Sequence, residues 1–236
     1  NPLAKPARNT VAEVLGAVEA DLAEAKNLLP AVTVANFSDT VLNRVSIAAY
    51  QARVALFKRD YPSAITFATE VINSAVKPIS SGAAFSGIWT DVTNNETLFR
   101  IRFATGTGVG AIWTTTGNQV YIAPSDKLIA SYGAGDIRSA TYIGSLGPGN
   151  NYVNKFYQSS RGGRVVDLKA CRIAEMYLIR AEAHARKSSP DVNAGAADLN
   201  LLRTNRISPY TNEVFANQAD LITAVMNERF KELCFE

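Results

Sequence analysis

The chain predicts a mainly α fold, in which helical hairpins bracket a long loop-rich insert carrying a few short strands. Apolar residues recur at helical spacing from residue 9 to about 77 and again from 170 to 236. Alanine crowds the inner positions of both parts, which suits helices that approach each other closely. The stretch between them, 78–169, is of another kind, with 13 of the 15 glycines and 11 of the 21 Phe, Trp and Tyr residues. At 236 residues, 47% hydrophobic and 19% charged, the chain is long enough to bury a substantial core.

In the first part Thr10 and Glu13 spell a capping box. Val11, Val14, Leu15, Val18, Leu22, Ala25 and Leu29 then form a stripe, with Glu13, Glu19, Asp21, Glu24 and Lys26 on the other face. Pro30 stops this helix. A second helix is predicted from about Asn43 to Arg59, with Ala48, Ala49, Ala52, Ala55 and Leu56 inside. Asp60-Tyr61-Pro62 turns the chain into a third, striped by Ala64, Ile65, Ala68, Val71 and Ile72. Pro62 suits its first turn, where a missing N–H costs nothing.

The insert has one clear strand, Thr97 to Ala104, in which Phe99, Ile101 and Phe103 alternate with Leu98, Arg100 and Arg102. A short helix is predicted from Ser125 to Tyr132, capped by Ser125 and ended by Gly133. The rest reads as loops. Loops this long in a compact domain are usually functional or disordered, and aromatic residues at this density argue against disorder. The last part returns to helices at Cys171–Lys187, Asp191–Asn205 and about Ala219–Phe235. The third of these carries Leu221, Ile222, Val225, Arg229 and Leu233 on or beside one stripe.

Several function classes fare poorly. The formal charge is +3 and the basic residues are scattered, so nucleic acid is a poor partner. No stretch approaches the roughly 20 apolar residues of a membrane-spanning helix. Cys171 and Cys234 each fall in a helical pattern and read as buried free thiols rather than a disulfide. Nothing has metal-ligand spacing, and no cofactor is expected. The only histidine, His184, sits in an alanine-rich helix and reads as a packed residue, and no G-x-S-x-G elbow accompanies it. Asp126, Asp136 and Asp167 lie in or beside the insert, and a glycosidase would need two of them about 5–10 Å apart in a cleft. Gly106-x-Gly108-x-Gly110 follows a strand but opens no helix, so it reads as a flexible loop rather than a dinucleotide cradle. No residue is assigned a catalytic role.

The hairpins 44–75 and 171–206 look like two copies of one design. Ala52, Leu56, Tyr61, Ala64 and Ala68 match the spacing of a tetratricopeptide repeat, and the second copy aligns through Tyr50/Tyr177 and Arg53/Arg180. Two hairpins are fewer than a free-standing solenoid needs, so the core must be completed by other packing. Beyond the repeat, a series of segments appears in order: TVAEVLGAVEADLAEAKNLLP, LNRVSIAAYQARVALFKRDYPSAITFATEVI, FSGIWTDVTNNETLFRIRF, APSDKLIASYGAGDIR, RIAEMYLIRAEAHARK, ADLNLLRTNR and NERFKELCFE. In that order they resemble the SusD/RagB family of nutrient-binding outer-membrane lipoproteins of Bacteroidetes. The family is about twice this long, and its lipidated cysteine has no counterpart in NPLAKPARNT. Relatives also continue beyond the position of Glu236. The chain is therefore read as one SusD-like domain, in fragment: a helical part (9–77), the insert (78–169) and a second helical part (170–236).

The resemblance implies a binding protein and not an enzyme. Such proteins sit on the cell surface and cap a SusC-type TonB-dependent transporter, handing over an oligosaccharide or a peptide. It also implies membrane association through a lipid anchor that this chain does not contain. Sugar rings expose apolar C–H faces that stack on aromatic side chains, while their hydroxyls need amide and charged partners. The insert offers both, and the candidate ligand-binding residues are Trp113, Asn118, Tyr121, Tyr152 and Tyr157, with Gln119, Asn154 and Gln158 nearby. Trp89 reads as core, Asp136 and Arg138 as an internal ion pair, and Glu228, Arg229 and Glu232 as structural. The competing reading is a tetratricopeptide-type scaffold for a protein or peptide partner.

Overall fold

A computed structural model describes residues 5, 7–104, 108–115 and 117–236. Gly106 and Thr116 lie outside the described residues. The fold is mainly helical. In the first part, α1 (Val11–Leu28) is followed by α2 (Arg44–Phe57) and α3 (Tyr61–Asn73). Thr10 and Glu13 close their capping box at 3.2 and 2.8 Å, a motif worth about 1 kcal/mol. α1 packs chiefly on α2, so its predicted stripe is only half covered. Leu15, Val18, Leu22 and Ala25 are half-buried, whereas Val11 and Val14 are 75% and 47% exposed. Lys26 pairs with Glu70 at 2.6 Å and Lys58 pairs with Glu19, tying α1 to the hairpin.

The middle part is more ordered than loops. It runs through α4 (Gly82–Ile88), β1 (Thr97–Ile101), α5 (Asp126–Ser131) and α6 (Ile137–Tyr142). Then come β2 (Ile143–Ser145), β3 (Asn151–Val153), β4 (Gln158–Ser159), β5 (Gly162–Gly163) and β6 (Leu168–Arg172). β1 pairs antiparallel with β6, β2 with β3 and β4 with β5. Strands of two or three residues leave no periodic signal, which is why β2 to β5 read as loops. The strand from Thr97 ends at Ile101, and two register shifts against β6 break its alternation. Leu98 is therefore fully buried, while Ile101, expected inside, is 47% exposed. The glycines at 108 and 110 are not slack. A Cβ on Gly110 would lie 2.2 Å from the Phe156 carbonyl oxygen, and one on Gly108 would lie 2.4 Å from that of Arg164. Their missing side chains let this segment press against the backbone of 156–166, so the expectation of a flexible loop does not hold there.

The third part is α7 (Ile173–Arg186), α8 (Val192–Thr204) and α9 (Gln218–Glu232). α2 packs on α3, α3 on α7, and α7 on both α8 and α9. Fully buried alanines (Ala48, Ala52, Ala64, Ala68, Ala181, Ala183, Ala185) line these contacts. The two hairpins repeat one local device. Arg53 lies 5.3 Å from the Tyr50 ring and Arg180 lies 5.7 Å from the Tyr177 ring. Each arginine also grips a carboxylate with two nitrogens, Arg53 on Glu175 and Arg180 on Asp198. Cys171 and Cys234 are both unbonded.

A charged core locks the middle part onto this frame. The Glu232 carboxylate, fully buried on α9, receives Arg138 from α6 (3.1 Å), Arg172 from β6 (2.9 Å) and Arg206 from just beyond α8 (3.0 Å). Arg138 also takes Asp136 at 2.8 Å and Glu228 at 2.5 Å, while Arg206 takes both oxygens of Glu96 at 2.9 Å. The Asp136–Arg138 pair is thus internal, and Trp89 is buried as expected. Lys155, equally buried, donates to the carbonyls of Glu232 (3.1 Å) and Cys234 (2.8 Å). Its ammonium sits 3.7 Å from the Tyr142 ring. Carbonyls at a helix C-terminus lack intrahelical partners, and a cation there meets the negative end of the helix dipole.

Candidate functional site

The segment 151–164 alternates anchors and exposed rings. Val153, Lys155 and Phe156 are buried, so the two tyrosines that flank them, Tyr152 and Tyr157, stay half-exposed. Their ring centroids are 4.2 Å apart with planes at 40°, forming a shallow aromatic angle at the surface. Tyr152 stands opposite Gly144 in the β2–β3 pair, and a Cβ there would lie 2.1 Å from Tyr152 Cζ. The ring therefore rests over bare backbone. Gly144→Ala is expected to push it out of place, costing about 1–3 kcal/mol of stability as an overpacked site. Denaturant unfolding checks the cost, and tyrosine circular dichroism should report loss of the stacked pair.

A polar edge adjoins the rings. Tyr157 Oη donates to Asn118 Oδ1 at 2.8 Å, and Arg164 Nη2 donates to the same oxygen at 2.9 Å. Two donors on one atom fix which end of the amide is oxygen, so Asn118 presents its NH2 group outward from this pair of bonds. The Arg164 guanidinium lies 5.4 Å from the Tyr157 ring centroid, and Nε donates to Thr114 O at 3.2 Å and Oγ1 at 3.1 Å. Burial, followed by the neighbouring Tyr157, holds the Tyr152 phenol above its ordinary value, so it stays a neutral hydroxyl. Rings with amide, hydroxyl and guanidinium groups beside them can stack on a flat apolar face and bond to its polar rim.

The five sequence candidates do not form one cluster. Asn118, Tyr152 and Tyr157 come together. Trp113 turns elsewhere, half-buried, stacked on Phe156 at 6.1 Å and 11° and met edge-on by Phe235 at 5.4 Å. Tyr121 bonds through its backbone N–H to Trp113 O at 2.9 Å, with a side chain 63% exposed. Arg164 and Gly144 were missed. The only sequence hint for Arg164 is Arg161-Gly162-Gly163-Arg164, which reads as a tight turn.

Other chemistry is drawn off into structure. Asp167 is fully buried between Arg161 at 2.6 Å and Arg100 at 3.0 Å, and Asp136 is held by Arg138. Asp126 sits in the first turn of α5, where a carboxylate favours the helix N-terminus. Burial lowers the His184 pKa, and its Nδ1 has no partner among the described residues. Among the described residues no helix is long and apolar enough to cross a membrane. Several clefts lie away from the tyrosines. One of about 440 Å³ is lined by Arg53, Leu56, Phe57, Glu175, Arg229 and Leu233.

Comparison with known proteins places this architecture. Among solved structures, a SusD superfamily protein from Bacteroides thetaiotaomicron superposes with a TM-score of 0.82 at 21% identity, covering 99% of this chain and 55% of the other. A SusD-like carbohydrate binding protein from Bacteroides vulgatus gives 0.78 at 22% identity, covering 96% and 50%. Surface glycan-binding protein A from Bacteroides uniformis gives 0.68 at 14% identity, covering 94% and 56%. The chain thus spans about half the length of these structures, and no curated protein matches it. The sequence profile of the SusD family matches residues 93–236, from the turn before β1 through all of α7, α8 and α9, and the chain belongs to that family.

Proposed function

We propose that this chain is the glycan-binding part of a nutrient-uptake protein at the outer-membrane surface. There it would work with a SusC-type TonB-dependent transporter and be held to the membrane by a lipid anchor. The tyrosine pair of Tyr152 and Tyr157, with Asn118 and Arg164 at its edge, is the observation that carries the reading. Family membership supports it, as do two relatives described as carbohydrate- or glycan-binding. The role is binding without catalysis. Tyr121 and the half-exposed Trp113 are proposed as a neighbouring contact for a longer oligosaccharide. A peptide-binding scaffold remains the second reading, favoured by Phe57, 82% exposed beside the cleft between α2 and α9.

Affinity electrophoresis over a polysaccharide panel tests the proposal. Retention by at least one glycan is expected. Trp113→Ala should weaken retention of long oligosaccharides more than short ones, as a contact beside the tyrosine pair would. Failure of every glycan to retard the chain, together with capture of peptides, would favour the scaffold.

A further inference from the structure

We infer that the glycan taken by the tyrosine surface is anionic, bearing carboxylate or sulfate groups, and that Arg164 reads that charge. The inference rests on the glycan reading and narrows its substrate class. From Thr97 to Val166 the chain has seven Lys or Arg against two Asp, a local charge of +5 in a protein of net +3. Neither aspartate reaches the tyrosines' polar edge: Asp136 is spent on Arg138, and Asp126 begins α5. The seven cations have different fates. Arg138 and Lys155 are buried in the charged core, while Arg100 and Arg161 are paired with Asp39, Asp91 and Asp167. Lys127 lies over Phe230, and Arg102 is exposed beyond β1.

Arg164 is the cation left at the rings. It has no carboxylate partner among the described residues, and the residues outside that set carry no Asp or Glu. Its guanidinium is nonetheless held firmly. Nε is bonded to Thr114 and Nη2 to Asn118, while Nη1 has no hydrogen-bond partner among the described residues. Arg164 and Asn118 both have positive φ, 67° and 63°, and the β4–β5 turn aims the arginine back across Tyr157. A guanidinium fixed by neutral acceptors keeps its full charge, whereas its neighbours Arg100 and Arg161 are neutralised. An anionic group on a sugar stacked against the tyrosines would supply the carboxylate or sulfate that the chain withholds, in the charge-assisted geometry arginine favours.

The test is calorimetric titration of the 236-residue chain with oligogalacturonate, a chondroitin sulfate hexasaccharide, maltoheptaose, xylohexaose and a Glu-rich peptide. At least one of the two acidic glycans should bind about tenfold more tightly than either neutral one, and the pair separates carboxylate from sulfate. Its affinity should fall as salt rises, because screening acts on the charge contact. Arg164→Gln should abolish the preference, Arg164→Lys should restore part of it, and both variants should stay cooperatively folded, as denaturant melts would show. Neutral glycans binding as tightly as acidic ones, or an unchanged preference in Arg164→Gln, would overturn this inference and leave the glycan reading standing. Binding of the Glu-rich peptide alone, or of no glycan, would overturn both.

Discussion

Glu232→Ala is expected to lower the stability of the chain by about 3–5 kcal/mol, the range seen when one partner of a buried ion pair is removed. In a chain of this size that amounts to roughly 10 °C in Tm. The reason is the count of charges around one carboxylate. Arg138, Arg172 and Arg206 all reach Glu232 within 3.1 Å, and all four side chains are closed to solvent. Deleting the carboxylate leaves three guanidinium groups with fewer acceptors in a medium that cannot solvate them. Its proton chemistry points the same way. Burial by itself would raise the Glu232 pKa, but Arg206, Arg172 and Arg138 overcome it and hold the group well below its ordinary value of 4.5. Glu228 and Glu236 are lowered as well, by Arg138 and Arg172 respectively. A folded-state pKa below the unfolded one contributes stability that is fully present above about pH 4.5 and lost as pH falls. Urea unfolding of the parent should show that acid loss, and Glu232→Ala should show less of it. A change of under about 1 kcal/mol would contradict this view of the core.

The second large effect is expected in binding. Tyr152→Ala combined with Tyr157→Ala should weaken the retained glycan by about thirtyfold or more, since each aromatic contact is worth about 0.5–1.5 kcal/mol beyond the area it covers. Stability should change by only about 1–2 kcal/mol, because both rings are half-exposed and the backbone beneath them is held by other groups. Those groups are Val153, Lys155 and Phe156, all buried. Lys155 in particular ties the ring-bearing segment to the end of α9. Calorimetry paired with denaturant melts separates the two effects. A variant that loses stability and binding in proportion would assign the rings to the core.

The helical frame was legible because long amphipathic segments leave a period that sequence displays. Thr10/Glu13 and Ser125 bond as the capping patterns require, and α2, α7 and α8 begin within two residues of their predicted starts. The repeat pairing of Tyr50/Arg53 with Tyr177/Arg180 was legible too, since a ring and a guanidinium three residues apart share a helix face. The middle part was not. Its β-hairpins are two or three residues deep, too short for alternation, and the register shifts in β1 invert the face that alternation would assign. Glycine misled in its own way. At 108 and 110 it marks close backbone contact, where the sequence suggested slack. Of the charged core only the local Asp136–Arg138 pair was legible, because its other bonds join residues far apart, such as Glu96 with Arg206 and Arg138 with Glu232. At the candidate site, Tyr152, Tyr157 and Asn118 could be chosen as residue types suited to sugar. That Arg164 and Gly144 complete their surroundings depends on turns that bring positions 46 and 8 residues apart together.

A crystal structure of the chain with its best-retained glycan would show whether the tyrosine angle holds the ligand. A sugar ring is expected within about 4 Å of Tyr152 and Tyr157, with Asn118 and Arg164 bonded to its substituents. A glycan seated instead in the cleft of Arg53, Phe57 and Arg229, with both tyrosines untouched, would contradict it.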